Sequence, residues 1–314
     1  YGRIVRDPRN KIEAIIEEKD ASSFQKEITE VNSGIMAFKA QDLIRLLGKI
    51  RNNNKAKEFY LTDTVYEAHL EKLNIQSLRL SDADEVLGCN TLEELQTLEK
   101  AYHISTAKKF LNKGVSFADI EKVKFRGNIS IEKGAFIDEN VILEGAVSIG
   151  ANAKIGPGCI VYNSSIGKNS ELLAYSYVEE SMLESNAKAG PFAHIGVQTK
   201  MEEGAEIGNF VETKRSNIGA NSKAKHLAYI GDGRIGKGVN IGAGTIFCNY
   251  DGVKKHITKI EDDAFIGSNS ALVAPLTIGA NSYVGSGSVV TKNVGKGQLA
   301  IGRGRQKNMP NRKK

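Results

Sequence analysis

Aliphatic residues return at every sixth position through much of the second half of this chain. Ile131, Ile137, Leu143, Ile149, Ile155 and Val161 form one unbroken series, and Ile260, Ile266, Leu272, Ile278, Val284 and Val290 form another. A period of six is neither the 3.6 of a helix nor the 2.0 of a strand, so each hexad has to be a short strand plus a turn. Glycine follows the aliphatic residue in Ile149-Gly150, Ile155-Gly156, Ile218-Gly219, Ile241-Gly242 and Ile266-Gly267, at places where a Cβ would crowd a corner. Four residues after the aliphatic position stands a small or β-branched one, as at Ala135, Val141, Ala153, Cys159, Ser270 and Ser282. Three hexads make one triangular coil. Because a single coil cannot bury its own apolar column, the repeats predict a stacked parallel β-solenoid. Flexible glycine-rich linkers carry no such register.

At 314 residues two domains are expected, and the composition changes near residue 90: before it glycine is sparse and the pattern is mixed α/β, after it hexads dominate. The formal charge of +6 owes much to a tail containing Arg303, Arg305, Lys307, Arg312, Lys313 and Lys314. No stacking aromatic module accompanies these cations, so nucleic acid is not an expected partner. Cys89, Cys159 and Cys248 are odd in number and widely spaced, which predicts reduced thiols and a cytoplasmic protein. No leader-like segment opens the chain and no long apolar run occurs, so neither secretion nor membrane spanning is expected. Tyr1-Gly2-Arg3-Ile4-Val5 reads as a strand already under way, as in a fragment of a larger α/β domain.

Residues 12–18, 31–38 and 75–80 read as strands. Residues 41–50 and 61–73 read as amphipathic helices, the second begun by Thr62-Asp63. A further helix is signalled by Asn90 as cap with Glu93 three positions on, then Leu92, Leu95 and Leu98, continuing in broken form to Lys113 as a strut between domains. Three stretches depart from the hexads: 179–206, 221–229 and 248–256. Insertions leave a solenoid as surface loops, where sites are commonly built.

His226 is the ionisable group of most interest. It lies among Lys214, Arg215, Lys223, Lys225 and Tyr229, with Asn240 one coil later, which suits a phosphate-bearing substrate beside a neutral imidazole acting as general base. A zinc site on His194, His226 and His256 has no close ligand spacing to support it. No G-x-S-x-G elbow is present, and the cysteines have no evident base partner, so direct transfer in a ternary complex is preferred to a covalent intermediate.

Four motifs carry a family likeness: Gly190-Pro191-Phe192-Ala193, Gly208-Asn209-Phe210-Val211-Glu212-Thr213-Lys214, Lys225-His226-Leu227-Ala228-Tyr229-Ile230-Gly231-Asp232, and the run from Val239 to Gly252. They resemble the bacterial bifunctional N-acetylglucosamine-1-phosphate uridyltransferase and glucosamine-1-phosphate acetyltransferase, and the likeness runs through essentially the whole chain. It implies a mainly β fold: a left-handed parallel β-helix of hexapeptide repeats over residues 115–314, preceded by a linker helix (91–114) and part of a nucleotidyltransferase-like α/β domain (1–90).

By this likeness the chain transfers an acetyl group from acetyl-CoA to the amine of glucosamine 1-phosphate, toward UDP-N-acetylglucosamine for the cell envelope, with no metal needed for that step. His226 would be the general base, Lys214 would bind the sugar phosphate, and Tyr229 and Asn240 would hold the sugar. Ala243, Asn249, Tyr250, Ser268, Ser286 and Arg303 fall where the family contacts acetyl-CoA. The exposed Asn-Tyr-Asp-Gly loop at 249–252 has no core to serve, which favours such a role. Sites of this kind lie between neighbouring β-helices, so a homotrimer is implied, and a flat-faced prism suits a threefold axis.

In the first ninety residues Gly2, Glu17, Asn32 and Asn90 match positions that bind the UDP-sugar, Asn90 also helping to hold Mg2+. The glycine-rich loop that cradles UTP and the metal-binding aspartate of the family are not in this sequence, so uridyltransferase activity is expected of the complete protein and not of this chain. Two departures from the family pattern stand out. Gly196-Val197 replaces an Arg-Pro whose guanidinium clamps the sugar phosphate, a loss that Lys200 or Arg215 would only partly replace. Ile301-Gly302-Arg303-Gly304-Arg305 replaces Ser-Arg-Val-Pro near the acetyl-CoA tail. The competing expectations are a non-catalytic trimeric scaffold and an acyltransferase with another amine acceptor.

Overall fold

The computed structural model describes residues 1–80 and 83–310. Arg312, Lys313 and Lys314 of the basic tail lie outside the described residues. Two compact units are present, Tyr1–Leu98 and Glu99–Lys314, and their boundary falls inside one continuous helix, Leu92–Leu111. That helix is unbroken, unlike the expectation. Its cap is Thr91 and not Asn90: the Thr91 hydroxyl accepts from the Glu94 N–H at 3.1 Å while the Glu94 carboxylate accepts from the Thr91 N–H at 3.1 Å. Each satisfies an amide that the first helical turn leaves free.

In the second unit the expected solenoid is present. An eleven-stranded parallel sheet forms the first face of a prism, and a seventeen-stranded sheet supplies the second and third faces. One coil runs through Glu206–Asn209 on the first face, Glu212–Lys214 on the second and Asn217–Ile218 on the third, and the next coil begins at Lys223–His226. Every aliphatic residue of the two sixfold series is buried, from Ile131 at 6 % to Ile137, Leu143 and Val284 at 0 % exposure. The small residues four positions on are buried with them, including Ala135, Ala153, Cys159 and Ser288. Burial pushes the Cys159 thiol up to about 11, as for an inert core cysteine.

Glycines after the aliphatic positions are needed for coil-to-coil approach. A Cβ on Gly219 would stand 2.2 Å from the carbonyl oxygen of Gly236 in the next coil. The left-handed corners are supplied elsewhere, by residues such as Asn152, Asn169 and Asn186, whose carboxamides link in a ladder at 3.3 Å.

Two of the three expected interruptions are regular coils. Leu183, Ala189, Ile195, Met201 and Ile207 keep the sixfold inward register through 179–206, and Ala224 keeps it between Ile218 and Ile230. Alanine and methionine at inward positions had hidden the period. Only the third stretch is an insertion: the chain leaves the second face after Ile246–Cys248 and rejoins the stack at Thr258–Ile260.

The first unit is smaller and looser. Arg3–Arg6 and Ile12–Ile16 pair antiparallel, and helices Ala40–Leu47 and Asp63–Leu70 form where expected. Ile12, Ile15 and Val65 make its buried apolar cluster, with Ile4, Met36 and Ile75 packed on it. Residues 31–38 and 75–80 are not strands; Val31 makes only an isolated bridge to Arg3. A strand exists by virtue of a neighbouring ladder, and among the described residues none lies beside these segments.

Candidate functional site

The sites expected from sequence gather mainly on the second face of the solenoid and its two bounding corners, over the coils that run from Glu206 to Val273. Lys214 ends its second-face strand and lies beside Gly231 in the parallel register, and Tyr229 opens the strand that contains Gly231. Side chains two apart on a strand share a face, so the Tyr229 ring extends along the strand over Gly231. A Cβ on Gly231 would stand 2.6 Å from the Tyr229 hydroxyl and 2.5 Å from Asn249 Nδ2. The glycine therefore leaves the space in which the phenol and the carboxamide meet beside Lys214.

A braced network closes this end of the face. The Arg215 guanidinium donates to both carboxylate oxygens of Asp232, at 2.7 and 2.9 Å, and Asn249 Nδ2 donates to Asp232 Oδ2 at 2.5 Å. The guanidinium holds the Asp232 carboxyl below the usual carboxylate range, with the Asn249 amide adding to the effect against the opposing influence of burial. Asn249 is only 6 % exposed. The expectation of an exposed Asn249 is thus corrected: its amide serves this brace, while Tyr250 beside it is 60 % exposed. Beyond Tyr250 the insertion folds on itself. Asp251 accepts from the Val253 and Lys254 N–H groups and pairs with His256 Nε2 at 2.6 Å, which holds its carboxyl well below the usual range.

At the other end of the face lies His226, the last residue of its first-face strand, in register with Asn209 one coil earlier. Its Nδ1 lies 2.6 Å from Asn209 Oδ1. The corner beside it is apolar: Leu227 is 60 % exposed, and below it Phe210, Phe192 and Tyr175 stack with ring centroids 5.5 and 5.4 Å apart. Sequence reasoning assigned Asn209 no role. Its separation from His226 by 17 positions, one coil length here, was the available signal.

The basic residues around His226 sort themselves by partner. Arg215 is committed to Asp232, and both Lys223 and Lys225 pair with Glu206. Among the described residues Lys214 has no carboxylate within ion-pair reach. Lys200 is taken by Glu184 at 2.7 Å. Neither Lys200 nor Arg215 is therefore free to replace a guanidinium at position 196. A Cβ on Gly196 would stand 2.6 Å from the Thr213 carbonyl oxygen and 3.6 Å from His194 Nε2, which itself lies 3.2 Å from Glu179, so the backbone of the next coil crowds this position and an imidazole–carboxylate pair borders it.

The remaining expected contacts divide between the two corners. Ala243, Ser268, Ser286 and Arg303 follow one another up the corner that carries His226. The Ala243 carbonyl accepts from the Asn269 N–H at 2.7 Å, the Ser268 carbonyl from the Gly287 N–H at 2.8 Å, and the Ser286 carbonyl from the Arg303 guanidinium. Asn249 and Tyr250 stand at the opposite corner. Asn240 lies on the first face, between Lys223 and Phe265. One chain thus brings together Lys214, Tyr229 and Asn249, and separately His226 with the Ala243–Arg303 corner. A polar concavity of about 650 Å3, lined by Asn128, Ser148, Asn163, Ser165, Gln198 and Lys200, contains none of these residues. Chemistry outweighs concavity here, because a site on an open face is completed by whatever covers it.

His194, His226 and His256 occupy three different places, with Glu179, Asn209 and Asp251 as respective partners. Among the described residues no group of three or more His, Cys, Asp or Glu side chains could hold a metal ion. In the first unit Gly2, Glu17 and Asn32 converge: the Gly2 carbonyl accepts from the Asn32 N–H at 2.8 Å, and a Cβ on Gly2 would stand 3.2 Å from Glu17 Oε1. Glu17 also accepts from the Thr62 hydroxyl at 3.0 Å. Asn90 is exposed, its N–H donating to Glu94 at 2.6 Å, and among the described residues no cluster of carboxylates surrounds it that could hold Mg2+. No described helix is long and apolar enough to cross a membrane.

Comparison with known proteins agrees with this architecture. The pattern of the GMPPB C-terminal domain matches residues 125–196, and that of the bacterial transferase hexapeptide (six repeats) matches residues 257–292. Among solved structures, a UDP-N-acetylglucosamine acyltransferase from Arabidopsis aligns at 20 % identity and a TM-score of 0.44, over 60 % of this chain and 70 % of its own. The bifunctional protein GlmU of Marinobacter nauticus is 41 % identical over 309 residues, which span 98 % of this chain and 68 % of that protein. GlmU of Cellvibrio japonicus is 45 % identical over the same shares of the two chains. With that identity sustained over that coverage, the chain belongs to the GlmU family of bifunctional proteins.

Proposed function

We propose that this chain transfers the acetyl group of acetyl-CoA to the amine of glucosamine 1-phosphate, giving N-acetylglucosamine 1-phosphate and coenzyme A. The observation that supports the proposal is Lys214 beside Tyr229 on the face bordered by the His226 corner: among the described residues it has no carboxylate partner, whereas Arg215 is paired with Asp232, and Lys223 and Lys225 with Glu206. An ammonium left without a carboxylate is available to a substrate phosphate.

An ammonium substrate has no lone pair, so the amine must be neutral when it attacks. Its nitrogen forms a bond to the thioester carbonyl carbon, the carbon–sulfur bond breaks, and the proton lost by the amine passes to His226, which can return it to the departing thiolate. Backbone N–H groups at the corner of Ala243 and Ser268 are candidates for the thioester oxygen as it gains charge. Lys214 holds the phosphate, Tyr229 and Asn240 position the sugar, and Ala243, Tyr250, Ser268, Ser286 and Arg303 contact acetyl-CoA, with Asn249 acting through its brace.

Residues of the two corners cannot meet within one chain, since a full face separates them. A homotrimer, in which the corner of one chain lies against the face of the next, would unite them. The exposed apolar corner of Tyr175, Phe192, Phe210 and Leu227 supports such packing. For the second activity of the family, Gly2, Glu17 and Asn32 are the UDP-sugar contacts that this chain supplies.

Coenzyme A release is the test. The native chain with acetyl-CoA and glucosamine 1-phosphate should liberate thiol, and His226→Ala should lose at least about a hundredfold in kcat. Silence of the native chain would leave a scaffold, and release only with another amine would change the acceptor.

A further inference from the structure

A histidine acts as a base through one nitrogen at a time, and which one is decided by what the other nitrogen is bonded to. His226 Nδ1 lies 2.6 Å from the carboxamide oxygen of Asn209, an acceptor that can only receive a proton. We propose that Asn209 is the positioning residue of the acetyl-transfer base: it holds the proton of neutral His226 on Nδ1 and so presents the Nε2 lone pair to the substrate amine. The proposal rests on the acetyl-transfer reading given above.

The pairing is built into the stack. Asn209 and His226 are register partners in the parallel ladder between Glu206–Asn209 and Lys223–His226, and the Asn209 carbonyl accepts from the Leu227 N–H at 3.0 Å. Gly208, just before Asn209, is buried, and a Cβ there would stand 1.8 Å from the Lys225 carbonyl oxygen. Residue 208 thus has no room for a side chain between the two coils, and the ladder register sets the carboxamide beside the imidazole. The charged groups on these two strands, Glu206, Lys223 and Lys225, pair with one another. The carboxamide is neutral, so it selects a tautomer without holding a permanent charge beside the ring.

Nitrogen-15 spectra of the imidazoles in the full chain, with His226→Gln to assign the signal, read the tautomer directly. Neutral His226 should carry its proton on Nδ1; a proton on Nε2 in the native protein overturns the proposal whether or not any variant folds. In Asn209→Leu the population should move toward the Nε2–H form, with kcat reduced roughly tenfold or more and KM for the amino sugar within about twofold of native. Asn209→Asp keeps the acceptor and adds a charge, so it should recover most of kcat and move the acidic limb of the pH profile upward. Unchanged kcat and an unchanged tautomer in Asn209→Leu also overturn the proposal. Absence of coenzyme A release from the native chain counts against acetyl transfer alone, since the tautomer still decides the pairing.

Discussion

The two ends of the second face hold polar groups in opposite ways. At one end Arg215, Asp232 and Asn249 spend their hydrogen-bonding capacity on each other, with side-chain exposures of 26 % for Arg215 and 13 % for Asp232. At the other, His226 has one nitrogen engaged and, among the described residues, no partner for the second; Lys214 shares that spare capacity although it lies next to the brace, having no carboxylate partner among the described residues. A polar group whose capacity is consumed inside the fold contributes stability and orientation. One left with spare capacity at the surface is equipped for a ligand. By that contrast, changes within the brace should move stability first, and changes at the groups with spare capacity, His226 and Lys214, should move catalysis alone.

The largest expected effect follows from Asp232→Ala. It leaves a part-buried guanidinium without its carboxylate and frees the Asn249 amide, at a cost of about 2–3 kcal/mol. A lower urea midpoint should be accompanied by weaker acetyl-CoA use, because Asn249 loses the carboxylate that anchors its amide. The contribution of Asp232 is also dependent on pH: its folded-state pKa is lowered, so the stabilisation is complete above the unfolded value near 4 and is lost as pH falls through the folded one. An Asp232→Ala protein as stable as native, or one destabilised with full activity, would break the contrast at its stronger end.

How far the sequence revealed this arrangement depended on what each residue looked like in one dimension. The hexads announced the solenoid because aliphatic side chains at fixed spacing have few other uses. They went unseen where Ala189, Met201 and Ala224 filled inward positions, since neither size nor branching marked them. Lys223, Lys225 and Arg215 looked as available as Lys214, because their carboxylate partners, Glu206 and Asp232, lie 17 to 19 positions away by coil stacking. Asn249 looked exposed within a polar loop, and only its placement over Gly231 shows it to be a structural member. The segments 31–38 and 75–80 had strand-like composition, but composition cannot supply a partner ladder.

His103 sharpens the contrast from a third place. It is 2 % exposed, its Nδ1 accepts from the Phe125 N–H at 3.2 Å, and its Nε2 has no partner among the described residues. Phe125 packs there with Phe110 and Phe117, so spare capacity in this case is sealed in an apolar cap. Burial, with Lys124 adding to it, lowers the pKa of His103 below its ordinary value. The unfolded chain therefore binds the proton first: stability is intact above the unfolded value of about 6.5 and falls as pH drops below it, by at most about 1.4 kcal/mol per pH unit. His103→Phe should flatten that part of the curve while leaving coenzyme A release at pH 8 unchanged. An equally steep acid loss in His103→Phe would place the sensitivity elsewhere.

The smallest effect on stability, and the most informative for function, belongs to Lys214→Met. Its stem is half-buried and can be matched by methionine, while its ammonium has no carboxylate to leave stranded, so unfolding should change by less than about 0.5 kcal/mol. Loss of a charge-assisted contact to phosphate should nevertheless raise KM for glucosamine 1-phosphate by roughly ten- to a hundredfold. Two controls make the result specific to an unpaired lysine. Lys223→Met, whose ammonium is held 3.4 Å from Glu206, should leave KM unchanged. Unphosphorylated glucosamine should be used poorly by the native chain and equally poorly by Lys214→Met, because the interaction removed is with the phosphate. If Lys223→Met raises KM as much as Lys214→Met does, the general basic field of the surface governs affinity and an unpaired lysine carries no special meaning.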